Sequence, residues 1–216
     1  ELFMGFWLLC ALFLALYQFG LLGWKGAKGR PGLGRLAVGT LSFAFAAYLG
    51  YGLFKYESLS LLSGLAPPVG YSWGRPSDCP NGIGCYHDFD EALAIAKKEN
   101  KPVFVDFTGY GCVNCRKMEE TVWPKSGIIE RLRDDYIVVS LYVDDKARLF
   151  GEDKFAYLLD MGTGDKIRTV GDKWSSFQIN NFNRNSQPWY VLMHHDGTTV
   201  LNEPRGFTPD AQEYQD

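Results

Sequence analysis

The sequence predicts a mixed α/β domain, a central sheet with helices on both faces, preceded by two membrane-spanning α-helices. Three observations predict it. Two long uncharged runs, 2–24 and 36–54, open the chain. After residue 87, apolar strand-like segments alternate with amphipathic helical ones. A Cys-x-x-Cys then sits where one strand hands over to a helix. The averages over all 216 residues conceal this, since 46% hydrophobic content would suit an ordinary soluble domain. A mean hydropathy of -0.14 would suit it too. These figures exclude a disordered chain, a collagen-like repeat and a disulfide-dense miniprotein. A net charge of -3 argues against a nucleic-acid partner, which calls for a basic surface.

The first run, Leu2 to Trp24, has 23 residues without a charge, and a helix of that length is about 34 Å long. The second, Leu36 to Phe54, has 19, or about 28 Å. Two buried core helices are the soluble alternative, but helices apolar on every side are rare in a small globular domain. A signal peptide does not fit the first run, which lacks a basic leader, is too long and is followed by a second span. The chain opens on Glu1 rather than Met, so a fragment with a missing upstream part is expected. The loop 25–35 carries Lys25, Lys28, Arg30 and Arg35 and no acid. The positive-inside rule places it in the cytoplasm, with Glu1 and everything after Phe54 on the opposite side and membrane lipid around the spans. Of the chain's 22 basic and 25 acidic residues, five and two lie in 1–60, leaving 17 and 23 beyond. The membrane piece is thus basic (+3) and the exported piece acidic (-6). Ala46 and Gly50 form a small-xxx-small pair that either admits a neighbouring helix or reflects span composition. Gln18 suits a helix-packing hydrogen bond rather than a transport site. The domain division is therefore 1–56 for the membrane helices, 57–86 for a linker and 87–216 for the exported domain.

The linker holds Ala66-Pro67-Pro68 and an irregular stretch from Gly70 to Gly84. Asp88 then caps a helix, with Glu91 at the capping-box position and Phe89, Ala92, Leu93 and Ala96 on one face. Lys97 and Lys98 suit its carboxyl end, and Pro102 forbids continuation. Val103 to Phe107 is a short apolar strand interrupted by Asp106. A glycine-flanked turn (Gly109, Gly111) leads into Cys112-Val113-Asn114-Cys115 and a helix to about Val122, stopped by Pro124. Ser126 starts a short helix carrying Ile128, Ile129 and Leu132, and Tyr136 to Val143 is a second strand. Asp144 to Asp172 is polar and glycine-containing, as an insertion would be, and Lys173 to Phe182 is helical. Trp189 to Met193, a turn at Asp196-Gly197 and Thr199 to Asn202 form a closing hairpin.

The cysteines carry the chemistry. Cys10 lies inside the first span as a small apolar residue. Unpaired amides at a helix amino terminus favour an anion, so Cys112 is the expected attacking thiolate. Cys115, one turn on, is expected to resolve the mixed disulfide. A zinc site would need two well-spaced pairs, and five residues separate Cys79 from Cys85. Haem attachment would need His where Arg116 stands. A purely structural Cys112–Cys115 bridge would constrain the unfolded chain little. Cys79 and Cys85 read as a local structural disulfide, with a second redox pair as the alternative. His87, His194 and His195 have no evident catalytic partner, and Trp73, Trp123, Trp174 and Trp189 read as core or groove residues.

These residues resemble the carboxyl-terminal part of the DsbD family, membrane-embedded thiol:disulfide interchange proteins. The resemblance rests on Val103-Phe104-Val105-Asp106-Phe107, on Cys112-Val113-Asn114-Cys115-Arg116-Lys117-Met118-Glu119 and on Ser186-Gln187-Pro188. Two spans followed by an exported thioredoxin-like domain is also that family's order. The resemblance implies a thioredoxin-like fold. Asp106 would be the buried acid beneath the cysteines, disfavouring a nearby thiolate and relaying protons to Cys115. Glu119 would be a second acid modulating the nucleophile, or else an exposed helix residue. Pro188 would be a cis proline which, with Gln187, Tyr110 and Gly111, lines the surface where a substrate segment pairs. Tyr110-Gly111 stands where thioredoxins carry a Trp, so that surface is expected to differ. Thr208-Pro209-Asp210 opens a final helix that is short or absent.

By this resemblance the function is protein-disulfide reduction at a bacterial inner membrane, with the thioredoxin-like domain in the periplasm. Electrons from cytoplasmic thioredoxin would pass through upstream membrane helices to Cys112, and on to periplasmic thiol proteins such as disulfide isomerases or cytochrome c maturation factors. No cofactor is implied beyond the redox-active disulfide. Two alternatives stay open: a self-contained membrane-anchored thioredoxin, and a non-catalytic anchor with structural disulfides.

Overall fold

The computed structural model describes residues 2–23, 31–55, 59, 62, 79–149 and 167–215. They fall into two compact units. Lys25, Lys28 and Arg30, the Ala66-Pro67-Pro68 linker, Trp73 and most of the expected insertion lie outside the described residues.

The first unit pairs α1 (Leu2–Gln18) with α2 (Leu33–Lys55). The lengths reverse the expectation from the uncharged runs. The first helix has 17 residues, about 26 Å, because Gly20 takes a left-handed φ of 75°. The Gly20 and Leu21 amides bond back to the carbonyls of Tyr17 and Leu16, closing a Schellman stop. The second helix extends beyond its uncharged run to 23 residues, about 34 Å. Among the described residues, α2 alone is long and apolar enough to cross a membrane. The two helices meet through small residues, with Ala11, Ala15 and Ala46 buried. The tightest approach is at Gly39, where a Cβ would stand 2.8 Å from the Phe19 ring; at Gly50 it would meet Leu8 at an ordinary 3.4 Å.

The second unit is built on four strands: β1 (Cys85–Tyr86), β2 (Val103–Thr108), β3 (Ile137–Tyr142) and β4 (Trp189–Met193). Their order across the sheet is β1-β3-β2-β4. The strands β1, β3 and β2 run parallel, and β4 is antiparallel to β2. The edge strand β1 is a correction, since Cys85 and Tyr86 were expected in the linker. Their pairing partners, Val138 and Val139, lie more than 50 residues away, so local pattern does not reveal it.

The strand period of two divides β2 between two cores. Val103, Val105 and Phe107 join Val139, Leu141 and Val191 on one face. That face is covered by α3 (Phe89–Glu99) and α5 (Val170–Phe182), which contribute Phe89, Ala92, Ala96 and Trp174. Phe104 turns to the other face, among Met118, Val122, Trp123, Leu132 and Tyr190. This second layer comes from the segment opened by α4 (Val113–Lys117). The helix expected to about Val122 continues without interruption but changes to π-type hydrogen bonding at Met118–Val122, and a second π segment, Arg131–Asp135, lies in the short helix expected after Ser126. Ser126 does not cap by accepting a backbone amide; its hydroxyl donates to Glu130 at 3.4 Å.

The helix caps explain the remaining boundaries. Asp88 accepts the Asp90 and Glu91 amides, and α3 ends on Asn100 in the left-handed region. The helix α5 starts three residues earlier than expected, because Thr169 and Asp172 form a reciprocal capping box. Replacing Thr169 by Ala is expected to cost about 1 kcal/mol. Thermal unfolding would then fall by a few degrees in a circular-dichroism melt, and an unchanged melt would dismiss the box as a stabiliser. The return arm of the closing hairpin is not a strand: it touches the sheet at single bridges, Met193 to Val200 and Tyr190 to Arg205. A short final helix, α6 (Ala211–Gln215), follows.

Candidate active site

The strand β2 ends at Thr108, and Gly109 to Gly111 turn the chain into α4. Cys112 is the N-cap of that helix, and its sulfur accepts the Cys115 N–H at 3.1 Å. The two cysteines form a disulfide with Cα atoms 5.3 Å apart. Cys112 is 6% exposed and Cys115 1%, while Tyr110, Gly111, Val113 and Asn114 around them are exposed. The pair therefore lies just under an exposed loop, with Cys112 the less buried of the two residues.

Arg116, next in the chain to Cys115, belongs to a buried cluster with Glu119 and Asp106. The alternation of β2 points Asp106 away from the Val105 and Phe107 core, and the parallel register sets it beside Ser140. The Ser140 hydroxyl donates to Asp106 Oδ2 at 3.0 Å, while Asp106 Oδ1 has no hydrogen-bond partner among the described residues. Burial pushes the Asp106 carboxyl up to about 7, against the opposing pull of Arg116 and the Ser140 bond. Glu119 is buried rather than exposed and is held by Arg116 one helical turn before it. Burial raises it to about 8, Arg116 pulls it down, and the Asp106 charge pushes it further up.

Arg116 is the residue that sequence reasoning missed. In the sequence it stands in the stretch that carries the resemblance and in the place of a haem-attachment His, with no role of its own. In the fold it is buried and paired with Glu119, and it donates to Thr108 Oγ1 at 3.0 Å. It thus ties the end of β2 to the cysteine helix. An arginine next to the second cysteine was visible in the sequence, but its burial follows from packing on the sheet.

The Gln187–Pro188 peptide is cis. The buried Gln178 of α5 donates to the Ser186 carbonyl at 2.8 Å and holds this loop. The Gln187 side chain reaches the cysteine loop, since a Cβ on Gly109 would stand 2.7 Å from its Oε1. Tyr110 stacks on Tyr142 with ring centroids 4.3 Å apart. Gln187, Tyr110 and Gly111 are thereby gathered around one loop.

Cys79 and Cys85 form the second disulfide, Cα atoms 5.8 Å apart. Its loop packs behind the cysteine helix: Asn81 donates to the Glu119 carbonyl at 2.7 Å, and Cys79 Sγ lies 3.7 Å from Ser140 Oγ. His87 meets the Ser140 carbonyl through Nδ1 at 3.1 Å, and His194 pairs with Asp196 in the hairpin turn. Trp123 and Trp174 are core residues. Cys10 is a free thiol in α1. Among the described residues no group of three or more His, Cys, Asp or Glu is placed to hold a metal ion.

Residues 89–216 match the family described as "Thioredoxin-like domain". Among solved structures, the chain is similar to "DsbH Oxidoreductase", with 18% identity and a TM-score of 0.43, covering 67% of this chain and 86% of that one. It is also similar to a thioredoxin from Thermus thermophilus solved in solution, with 18% identity and a TM-score of 0.41, covering 60% and 80% respectively. No curated protein matches. A match over more than half of the chain, on the segment whose sheet carries the cysteine pair, makes this protein a member of the thioredoxin-like family, a thiol–disulfide oxidoreductase working through its own cysteines.

Proposed function

We propose that this chain is a membrane-anchored protein-disulfide reductase that works in the manner of the DsbD family's carboxyl-terminal part. The observation that carries the reading is the Cys112–Cys115 disulfide opening a helix above two buried carboxyls raised to about 7 and 8. In the reduced state the Cys112 thiolate attacks a partner's disulfide and forms a mixed disulfide, releasing one partner sulfur as a thiol once it takes a proton. Cys115 then loses its proton, attacks Cys112 Sγ and releases the second partner thiol. Two electrons leave the pair, which returns to the disulfide. Asp106 is the acceptor for the Cys115 proton in this scheme, since a carboxyl near 7 exchanges protons readily at neutral pH. Glu119 tunes the same site, while Tyr110, Gly111, Gln187 and Pro188 form the surface that receives the partner segment.

The apolar helix α2, with α1 beside it, supports an anchor in a bacterial inner membrane, and the basic residues between them support a cytoplasmic loop. The domain then faces the periplasm, where thiol proteins are the partners. Electrons reach it from cytoplasmic thioredoxin through a membrane relay upstream. Cys79–Cys85 is a structural bridge in this reading.

Alkylation tests the site assignment. In the full chain, reduced and held in detergent, iodoacetamide is expected to label Cys112 at least tenfold faster than Cys115, read peptide by peptide in a mass spectrometer. Equal protection of both thiols, or faster labelling of Cys115, would sink the reading.

A further inference from the structure

We infer that Asp144 is a positioning residue that clamps the loop before Cys112, holds a negative charge beside that thiol and so makes the pair a better electron donor. The inference rests on the assignment of Cys112 as the attacking thiol given above.

The clamp is direct. Asp144 Oδ1 accepts the Tyr110 N–H at 2.8 Å and Oδ2 accepts the Gly111 N–H at 2.9 Å. These are the two peptide N–H groups immediately before Cys112 that could otherwise turn toward an anionic sulfur. The bond seen on Cys112 Sγ is from Cys115 N–H, on the other side of the cap. Glycine at 109 permits the approach, because a Cβ there would stand 2.9 Å from Asp144 Oδ2.

The carboxylate is also held in place. Val143 N–H donates to the Thr108 carbonyl at 3.0 Å, which ties the turn to the end of β2. From α5, Ser175 donates to the Val143 carbonyl at 3.2 Å, and Gly171 N–H to the Asp145 carbonyl at 3.0 Å. A side chain at 171 would collide with this turn, 2.7 Å from the Val143 oxygen. The carboxylate is thus buttressed from two elements, as a positioned group must be.

The electrostatic consequence has a definite sign. The charged and titratable groups packed around the cysteine loop are Asp106 on β2, Arg116 and Glu119 on the cysteine helix, and Asp144 and Asp145 on the turn after β3. Among the described residues the phenols of Tyr110 and Tyr142 also belong to this set, with the His87 ring against Tyr142. Arg116 favours a thiolate, whereas the Asp144 carboxylate disfavours it. A less stable thiolate destabilises the reduced pair, and a couple whose reduced form is destabilised is the stronger reductant.

The test exchanges the full chain with glutathione: the dithiol passes two electrons and two protons to oxidised glutathione, giving the protein disulfide and two glutathione thiols. Asp144→Asn removes the charge and retains one acceptor oxygen; Asp144→Glu retains the charge. With Asp144→Asn the equilibrium is expected to move at least tenfold toward the protein dithiol, which is about 30 mV. The pH midpoint of Cys112 alkylation is expected to fall, and Asp144→Glu to restore both toward wild type. A lower melting temperature with unchanged midpoint and equilibrium would make the clamp purely structural and overturn the inference. If the wild-type pair neither exchanges with glutathione nor alkylates at Cys112, the functional reading itself fails instead.

Discussion

Replacing Cys112 by Ser is expected to lower disulfide reduction by about a thousandfold or more, because the reaction has no other group to form the mixed disulfide. The assay is turbidity of insulin as its chains separate, with dithiothreitol regenerating the reduced chain. Cys115→Ser is expected to behave differently. Its Cys112 still attacks, but nothing resolves the product, so a covalent complex with the partner accumulates on a non-reducing gel. The geometry sets this asymmetry: Cys112 stands at the helix cap with exposed neighbours, whereas Cys115 is only 1% exposed. Full insulin reduction by Cys112→Ser would end the proposed mechanism. Trapping by Cys112→Ser rather than by Cys115→Ser would reverse the two roles.

The oxidised chain is expected to lose stability as the pH rises from about 5 to about 9, by roughly 6 kcal/mol. Burial raises Asp106 from 3.8 to about 7 and Glu119 from 4.5 to about 8. A carboxyl whose folded-state value is raised binds a proton in the folded chain at pH values where the unfolded chain has released it. Its contribution is therefore fully present below the unfolded value near 4. It is lost as the pH climbs through 7 and 8, when the buried groups must ionise. Urea titrations at several pH values, followed by fluorescence of the buried tryptophans, read this directly. Asp106→Asn and Glu119→Gln should each flatten the dependence in part, and together remove most of it. Stability that rises across this window would show that Arg116 keeps both groups ionised, contrary to the balance of burial and pairing drawn above.

Both predictions reach residues that differ in how far the sequence exposed them. Cys112, Cys115 and Asp106 were legible because their signals are local. A Cys-x-x-Cys at a strand-to-helix junction and a lone acid in an apolar strand are read within ten residues. The Asp88 cap and the strands β2, β3 and β4 were legible for the same reason. The earlier start of α5 was less so: Thr169 and Asp172 carry the box pattern, but they lie in a polar stretch that reads as insertion. The early end of α1 hid behind hydropathy, which continues past Gly20 although the backbone turns there.

The amino-acid sequence by itself determined the mixed α/β class, the paired cysteines and the split between an apolar amino-terminal piece and an acidic domain. These depend on periodicity, spacing and composition, which are properties of neighbouring residues. Only the tertiary structure decided that Cys85 and Tyr86 form an edge strand, that Arg116 is buried between Glu119 and Thr108, and that Asp144 grips the cysteine loop from more than 30 residues away. Register between strands and the stacking of helices on the sheet bring these groups together. A pairing across the sheet is set by the whole core's burial and hydrogen bonding, and no short window of the chain contains that information.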